Sequence, residues 1–374
     1  MIRVLNIISD TNVGGAGRVI LNYLRCADRQ KFETHVAVPR GSRLVPLLRE
    51  AGGLVHEVDG IADRSYSRQD VRRLRRLIEE VKPDLVHTHG ALSGRIAAKR
   101  CRVPAVYSRH SAFPVPAKFR YPPGRWVNKF INEHYADHII AVSPATRDNL
   151  LEGGISSRKI TVVMNGVTPV ERTSPEAQKK LRAELGIGED TVVFGIMARI
   201  EPDKGHLLLV EAARILKERG CDNFVVLAAG SGSYEETVRR AAEEAGVADQ
   251  VRLLGFRSDV AALLSIMDVQ LNASYGTEAT SMALLEGMSL ELPSVVSDYG
   301  GNPFLVEDGT SGILFPCRDS GALADAMERM IKNPQERLEM GRRGGEIFAR
   351  QFTARAFARN TEQVYLDVLK GESK

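Results

Sequence analysis

The chain has 374 residues, 43% of them hydrophobic and 26% charged, with 33 Gly and 16 Pro. At about 150 residues per domain this is enough for two globular domains, and it excludes a peptide, a fibrous protein and a disordered one. The net charge of +4 divides unevenly, with +12 on residues 1–167 and −8 on the remainder, so the halves are expected to be electrostatically different bodies whose basic member attracts anionic lipid, nucleic acid or phosphorylated substrate alike.

At the start of the chain, Asp10 comes too early for the apolar core of a secretion signal, and no run of about 18 apolar residues follows anywhere. The expectation is a chain that stays in the cytoplasm. Cys26, Cys101, Cys221 and Cys317 are scattered without metal-site or disulfide spacing and read as reduced thiols.

The first apolar run, Val4–Ile8, leads into Gly14-Gly15-Ala16-Gly17-Arg18 and an apolar helix expected from near Val19. Glycine lets backbone approach a ligand closely, and a helix N-terminus favours anions. A single glycine would satisfy a plain turn; three in four positions point to a ligand loop. The full dinucleotide fingerprint is absent. Apolar runs continue at His35–Val38, Leu85–His87, Ala105–Ser108, Ile139–Val142 and Ile160–Val163, separated by helical patterns such as Asp70–Val81, where Val71, Leu74, Leu77, Ile78 and Val81 recur at spacings of three and four. Such alternation predicts a parallel sheet covered on both faces. Arg68, Arg72, Arg73, Arg75 and Arg76, with Lys99, Arg100, Arg102, Lys118, Arg120, Arg125 and Lys129, carry much of the basic excess; Arg72–Arg76 reads equally well as a solvated helix face. His87 and His89 form a His-x-His at a strand end, a poor metal site without a third ligand. They are assigned to structure or to the acceptor side.

Asn165-Gly166-Val167-Thr168-Pro169 has turn chemistry, and Ser174-Pro175-Glu176 opens a helix. The second half repeats the scheme with strands at Val192–Ile196, Phe224–Ala228, Val251–Leu254, Val269–Asn272, Ser294–Ser297 and Ile313–Phe315, and with helices that include His206–Arg219, Tyr234–Ala245 and Ser281–Met288. The reading is two Rossmann-like domains, 1–168 and 169–352, facing across a cleft in which a ligand would bind. A C-terminal helix at about 353–374 is free to pack back on the first.

Two clusters carry chemistry. Arg199 and Lys204, five residues apart on the loop after strand Val192–Ile196, can grip two oxygens of a diphosphate; a minor surface pairing of Arg199 with Glu201 or Asp203 is the alternative. In Glu278-Ala279-Thr280-Ser281-Met282-Ala283-Leu284-Leu285-Glu286-Gly287-Met288, the amides of Thr280 to Met282 open a helix and suit a phosphate. Glu286 can accept two ribose hydroxyls, and inside an apolar run its carboxylate would be costly without a partner. Glu278 can meet the hydroxyls of a second sugar.

These stretches, together with Ala136–Ser143, Lys159–Val167, Gly300-Gly301-Asn302-Pro303 and Glu307-Asp308-Gly309, resemble the retaining glycosyltransferases of family 4, which have the two-domain GT-B fold. The resemblance covers nearly the whole chain. It implies transfer of a sugar from a nucleotide diphosphate with retained anomeric configuration and no metal or cofactor. It places Arg199 and Lys204 on the donor diphosphate with the amides of Thr280 and Ser281, Glu286 on the ribose, and Glu278 and His110 beside the transferred sugar. Gly14 and Gly15 approach the diphosphate, Met282 and Phe256 complete the donor side, and Arg18, His87 and His89 stand on the acceptor side. No Asp-x-Asp occurs. The commoner Gly-Phe-Gly after the first glutamate is replaced by Ala279-Thr280-Ser281, and Phe304-Leu305 stands where an acid is frequent, which leaves the donor open between a UDP-sugar, preferred, and GDP-mannose. The expected acceptor is a glycan or lipid-linked sugar, with peripheral contact between the basic domain and an anionic membrane and no nucleic-acid partner. A same-fold epimerase or phosphorylase and a two-lobed solute-binding protein are the rival readings.

Overall fold

A strand covered on both faces buries every side chain, so it reads as an unbroken apolar run rather than an alternation. Val4, Leu5, Ile7 and Ile8 are fully buried on this account. The computed structural model describes residues 1–62 and 64–371 and divides into two compact units, Met1–Thr168 with the chain from Phe352 onward, and Pro169–Gln351.

The first unit contains β1 (Ile2–Ile8), β2 (Phe32–Pro39), β3 (Leu54–Val58), β4 (Leu85–His89), β5 (Ala105–Arg109), β6 (His138–Ala141) and β7 (Ile160–Val162). They form one parallel sheet in the order β3-β2-β1-β4-β5-β6-β7, with Asn6 of β1 opposite His87 of β4. The sequence reading lacks β3. That strand is the sheet edge, none of its residues is buried, and His56 and Glu57 interrupt the apolar run, as suits an edge that must not pair with another chain.

The helix Arg68–Val81 is capped by Ser67, whose Oγ accepts from the amide of Gln69, and it buries Val71, Leu74, Leu77, Ile78 and Val81. Arg72, Arg75 and Arg76 lie on its exposed face, and Arg75 pairs with Glu79 at 2.9 Å. That basic run is therefore a solvated helix face. The first helix spans Gly15–Cys26, four residues earlier than expected from its apolar pattern. Gly17 lies inside it, where a Cβ would come within 2.6 Å of Leu44 Cδ2 and force that side chain to shift; with glycine at 15 and 17 the helix start carries no apolar signal.

The last helix, Ala354–Lys370, belongs to the first unit; residues 372–374 of the expected C-terminal helix lie outside the described residues. Val167 N–H donates to Phe352 O at 3.0 Å and Ala354 N–H to Val167 O at 2.9 Å, and a Cβ on Gly166 would collide with the Thr353 carbonyl. Tyr365 of this helix is fully buried, edge-on to Tyr23 and Phe32 with ring centroids 6.1 and 6.0 Å away.

The second unit contains β8 (Val192–Met197), β9 (Phe224–Ala229), β10 (Val251–Gly255), β11 (Val269–Asn272), β12 (Ser294–Ser297) and β13 (Gly312–Phe315), parallel throughout in the order β10-β9-β8-β11-β12-β13. Each coincides with a predicted strand to within a residue or so. In both sheets the first strand lies between neighbours whose connections run in opposite directions, β1 between β2 and β4, β8 between β9 and β11. Loops diverge beyond the carboxyl ends of such a pair and leave a crevice. Among the described residues no helix is long and apolar enough to cross a membrane.

Candidate active site at the carboxyl ends of the strands

Because the second sheet is wholly parallel, the loops after β8, β10, β11 and β12 emerge along one edge. The loop after β8 closes with the turn Pro202–Lys204 and then Gly205, whose φ of +77° and whose missing Cβ, which would strike the Ala273 carbonyl, both require glycine. The two central loops are stitched together by Asp203. Its carbonyl accepts from Tyr275 N–H at 2.9 Å and its Oδ2 from Thr277 Oγ1 at 3.0 Å.

That stitching brings Lys204 Nζ to 3.1 Å from Glu278 Oε2, with side chains 12% and 11% exposed. The same oxygen accepts from Ser274 Oγ at 3.1 Å and Asn272 Nδ2 at 3.4 Å. Three donors converge on one carboxylate oxygen in a site largely shut off from water, where the opposite charges of Lys204 and Glu278 compensate each other's desolvation. Oε1 has no partner among the described residues and is not sealed from solvent. The Glu278 backbone is braced from behind: Gly301 N–H donates to its carbonyl at 2.9 Å, and side chains on Gly300 or Gly301 would collide with the carbonyls of Glu278 or Ala279.

Arg199 is exposed on the β8 loop, and its guanidinium has no hydrogen-bond or ion-pair partner among the described residues. Glu201 does not bind it directly. Ser233 donates to Glu201 through Oγ at 2.7 Å and N–H at 3.3 Å, and these bonds, with a smaller contribution from the field of Arg199, hold the Glu201 carboxyl below its ordinary range. The helix after β11 spans Met282–Met288, capped by Ser281 Oγ, which accepts from Leu284 N–H. The amides of Met282 and Ala283 have no carbonyl one turn back to bond. Thr280 lies just before the cap, and Glu286 is half-buried between buried Leu285 and Gly287. Phe256, 78% exposed, stands at the carboxyl end of β10.

In the first unit, a Cβ at Gly14 would approach only Asp10 Oδ2, at 3.5 Å, and one at Gly15 would meet nothing within 4 Å. The fold itself leaves that space open. Arg18 is exposed on the same helix. His87, His89 and His110 gather behind this loop. His89 shares Nδ1 with His110 Nε2 at 2.8 Å and Nε2 with Asn6 Oδ1 at 3.1 Å, and the His89 and His110 rings stack with centroids 5.1 Å apart. His110 Nδ1 is sealed from solvent without a partner among the described residues. Burial keeps these rings neutral, pushing His110 down to about 4. His87 falls to about 3 through burial and then His110, and His89 falls well below its usual value. Both His87 ring nitrogens are taken, by Tyr365 Oη at 2.7 Å and Ser108 Oγ at 2.8 Å, so this ring fastens the last helix to the sheet. Among the described residues no group of three or more His, Cys, Asp or Glu is placed to hold a metal.

Asp203, Asn272, Ser274 and Thr277 escape sequence reasoning, as does Tyr365. Asn272 alone had a local signal, a polar residue closing an apolar strand.

A family model for glycosyltransferase family 4 matches residues 13–171, and one for glycosyl transferases group 1 matches residues 177–346. D-inositol 3-phosphate glycosyltransferase of Saccharomonospora viridis is 30% identical over 308 residues, 77% of this chain and 70% of that one. UDP-Gal:alpha-D-GlcNAc-diphosphoundecaprenol alpha-1,3-galactosyltransferase of Escherichia coli is 27% identical, covering 69% of this chain and 68% of that one. Among solved structures, HepE of Anabaena in complex with UDP superposes with a TM-score of 0.84 at 21% identity, over 98% of this chain and 100% of that one. A glycosyltransferase of Rickettsia africae superposes at 0.86 and 19% identity over 99% of each chain. With two parallel-sheet units, site loops along the carboxyl edges of their strands and relatives over most of its length, the chain belongs to glycosyltransferase family 4 and is a glycosyltransferase of the GT-B fold.

Proposed function

We propose that the protein transfers a sugar from a nucleotide diphosphate, UDP in preference to GDP, to a glycan or lipid-linked acceptor, retaining the anomeric configuration and using no metal ion. The observation that carries this reading is the sequestered Lys204–Glu278 pair at the carboxyl ends of β8 and β11, one cation and one carboxylate fixed before any ligand arrives. Lys204 and exposed Arg199 take up the charge that grows on the departing diphosphate, assisted by the amides around Thr280 to Met282. Glu286 holds the ribose, Phe256 offers its ring face to the base, and Glu278 Oε1 accepts from sugar hydroxyls while Oε2 stays tied to Lys204. As the glycosidic bond lengthens toward an oxocarbenium-like state, the leaving phosphate oxygen takes the acceptor's proton on the same face. Support for the donor comes from HepE, solved with UDP and with UDP-glucose. Support for the acceptor comes from the E. coli relative, whose name gives UDP-Gal and a diphosphoundecaprenol-linked GlcNAc. The basic first unit suits work at an anionic membrane face in the cytoplasm.

Nucleotide release from a panel of donors, with and without EDTA, tests the reading. The expected result is slow release from one UDP-sugar, unaffected by EDTA and lowered at least about 10²-fold in Lys204→Ala or Glu286→Ala, the loss that follows removal of a preorganised contact. Loss of release in EDTA that Mg²⁺ restores would overturn the metal-free mechanism, and wild-type release in both variants would overturn the site.

A further inference from the structure

The helix Gly124–Tyr135 and the short turn Ala117–Arg120 before it have no buried residue, whereas every other described α-helix of the first unit buries part of its surface. The usual amphipathic order is reversed. The inner edge of Gly124–Tyr135 is attached through polar groups, with Arg95 Nη1 donating to Asn132 Oδ1 at 3.0 Å and Asn128 Nδ2 to Gly153 O at 2.7 Å. The outer side carries Trp126, 66% exposed, Val127, and Phe130, 62% exposed; Phe113 and Tyr121 are exposed just before them. Five of the twelve large apolar residues exposed in the described chain thus fall within eighteen consecutive positions, whereas exposed apolar side chains ordinarily scatter singly.

The charges on this stretch are mostly of one sign. Lys118, Arg120, Arg125 and Lys129 lie between Phe113 and Asn132 with no Asp or Glu among them, and Glu133, the one acid of the helix, accepts from Ser156 N–H at 2.7 Å. Arg120 pairs with Glu152 at 2.9 Å, but neither Arg125 nor Lys129 has an ion-pair partner among the described residues. Trp126 and Phe130 are one helical turn apart, and so are Arg125 and Lys129 beside them. An aromatic stripe bordered by cations, with Trp and Tyr at its margin, is the pattern of a helix lying in the headgroup layer of a bilayer. A second copy of this chain fits less well, since a two-fold contact would bring two copies of the same cation-rich face together.

We propose that Gly124–Tyr135 with the preceding turn docks on an anionic phospholipid bilayer, Trp126, Val127 and Phe130 entering the interfacial layer and Lys118, Arg125 and Lys129 meeting the headgroups. This deepens the proposed function and rests on it for its purpose, bringing the enzyme to a lipid-linked acceptor; the surface itself rests on the exposed side chains. Trp126 is the sole tryptophan of the chain, so its fluorescence reports this face alone. With vesicles of phosphatidylglycerol and phosphatidylcholine the emission is expected to shift to the blue and to be quenched by brominated lipid, and with pure phosphatidylcholine to change little. Phe130→Ser should weaken vesicle binding about tenfold, and joint Arg125→Gln and Lys129→Gln about 25-fold, at roughly fivefold per cation. Both variants should keep wild-type nucleotide release without acceptor, which confirms that they are folded. Emission indifferent to phosphatidylglycerol, or wild-type vesicle affinity in both variants, overturns the proposal. So does self-association without lipid that Phe130→Ser abolishes, which would assign the face to a second copy. A chain that binds vesicles but releases no nucleotide from any donor overturns the catalytic reading and leaves this surface standing.

Discussion

Lys204 and Glu278 lie 74 positions apart, and their pairing depends on groups that have no sugar to touch. Asp203 binds Thr277 and the amide of Tyr275, and Gly301 binds the carbonyl of Glu278. Gly301→Ala puts a methyl group into the Ala279 carbonyl and is expected to lower nucleotide release about 10²-fold by shifting Glu278, while unfolding moves by only a few degrees, since a loop at the strand ends can give way. Release and thermal unfolding measured on the same preparation check this; wild-type release would mean that the loop tolerates displacement. The sequence singles out Arg199, Lys204 and Glu278 as charged residues on the loops after β8 and β11 and Glu286 as a carboxylate inside an apolar helical run, and the structure brings Lys204 to Glu278. Their supports were not legible in the sequence, because Asp203–Thr277 and Asn272–Glu278 contacts become visible only once the β8 and β11 loops lie side by side.

The elements were legible in proportion to their burial. β1, β4, β8 and β9 announce themselves as apolar runs because both faces are covered, and β3 does not because edge residues keep their charge. The last helix shows the limit of periodicity: its pattern predicts an apolar face without saying which unit that face covers. The structure answers through Tyr365, whose hydroxyl reaches the His87 ring under the first sheet. Tyr365→Phe keeps the ring packing and removes that oxygen, leaving a fully buried imidazole nitrogen without its partner. The expected cost is about 1–3 kcal/mol, read as a lower denaturant midpoint with unchanged slope; an unchanged midpoint would mean that the last helix does not depend on this bond.

At the scale of the whole molecule, both units are sensitive to acid for one reason. His87 in the first unit falls to about 3 through burial and then His110, and His110 itself falls to about 4 through burial. In the second unit His206, buried at the start of its helix, falls to about 4 through burial and then the charge of Lys204. The unfolded chain takes up protons at these rings near pH 6.5 and the folded chain does not. The stability they contribute is therefore complete above about pH 6.5 and is lost as the pH falls toward about 4, on the order of 1–2 kcal/mol per ring by pH 5. Thermal unfolding should come several degrees lower at pH 5 than at pH 7.5, and equal midpoints would mean that the rings protonate freely in the folded state. Taken alone, the amino-acid order determined that there are two parallel sheets, where every strand but the edge strand β3 lies and which charged residues follow them, because burial on two faces and strand-end loops are written in local composition. Only the tertiary structure decided which loops lie together, that Lys204 is held by Glu278, that His89 meets His110 while His87 meets Tyr365 and Ser108 out of solvent, and that Trp126 and Phe130 face outward. Those outcomes depend on strand order and on contacts between segments far apart in the chain, and no local pattern encodes them.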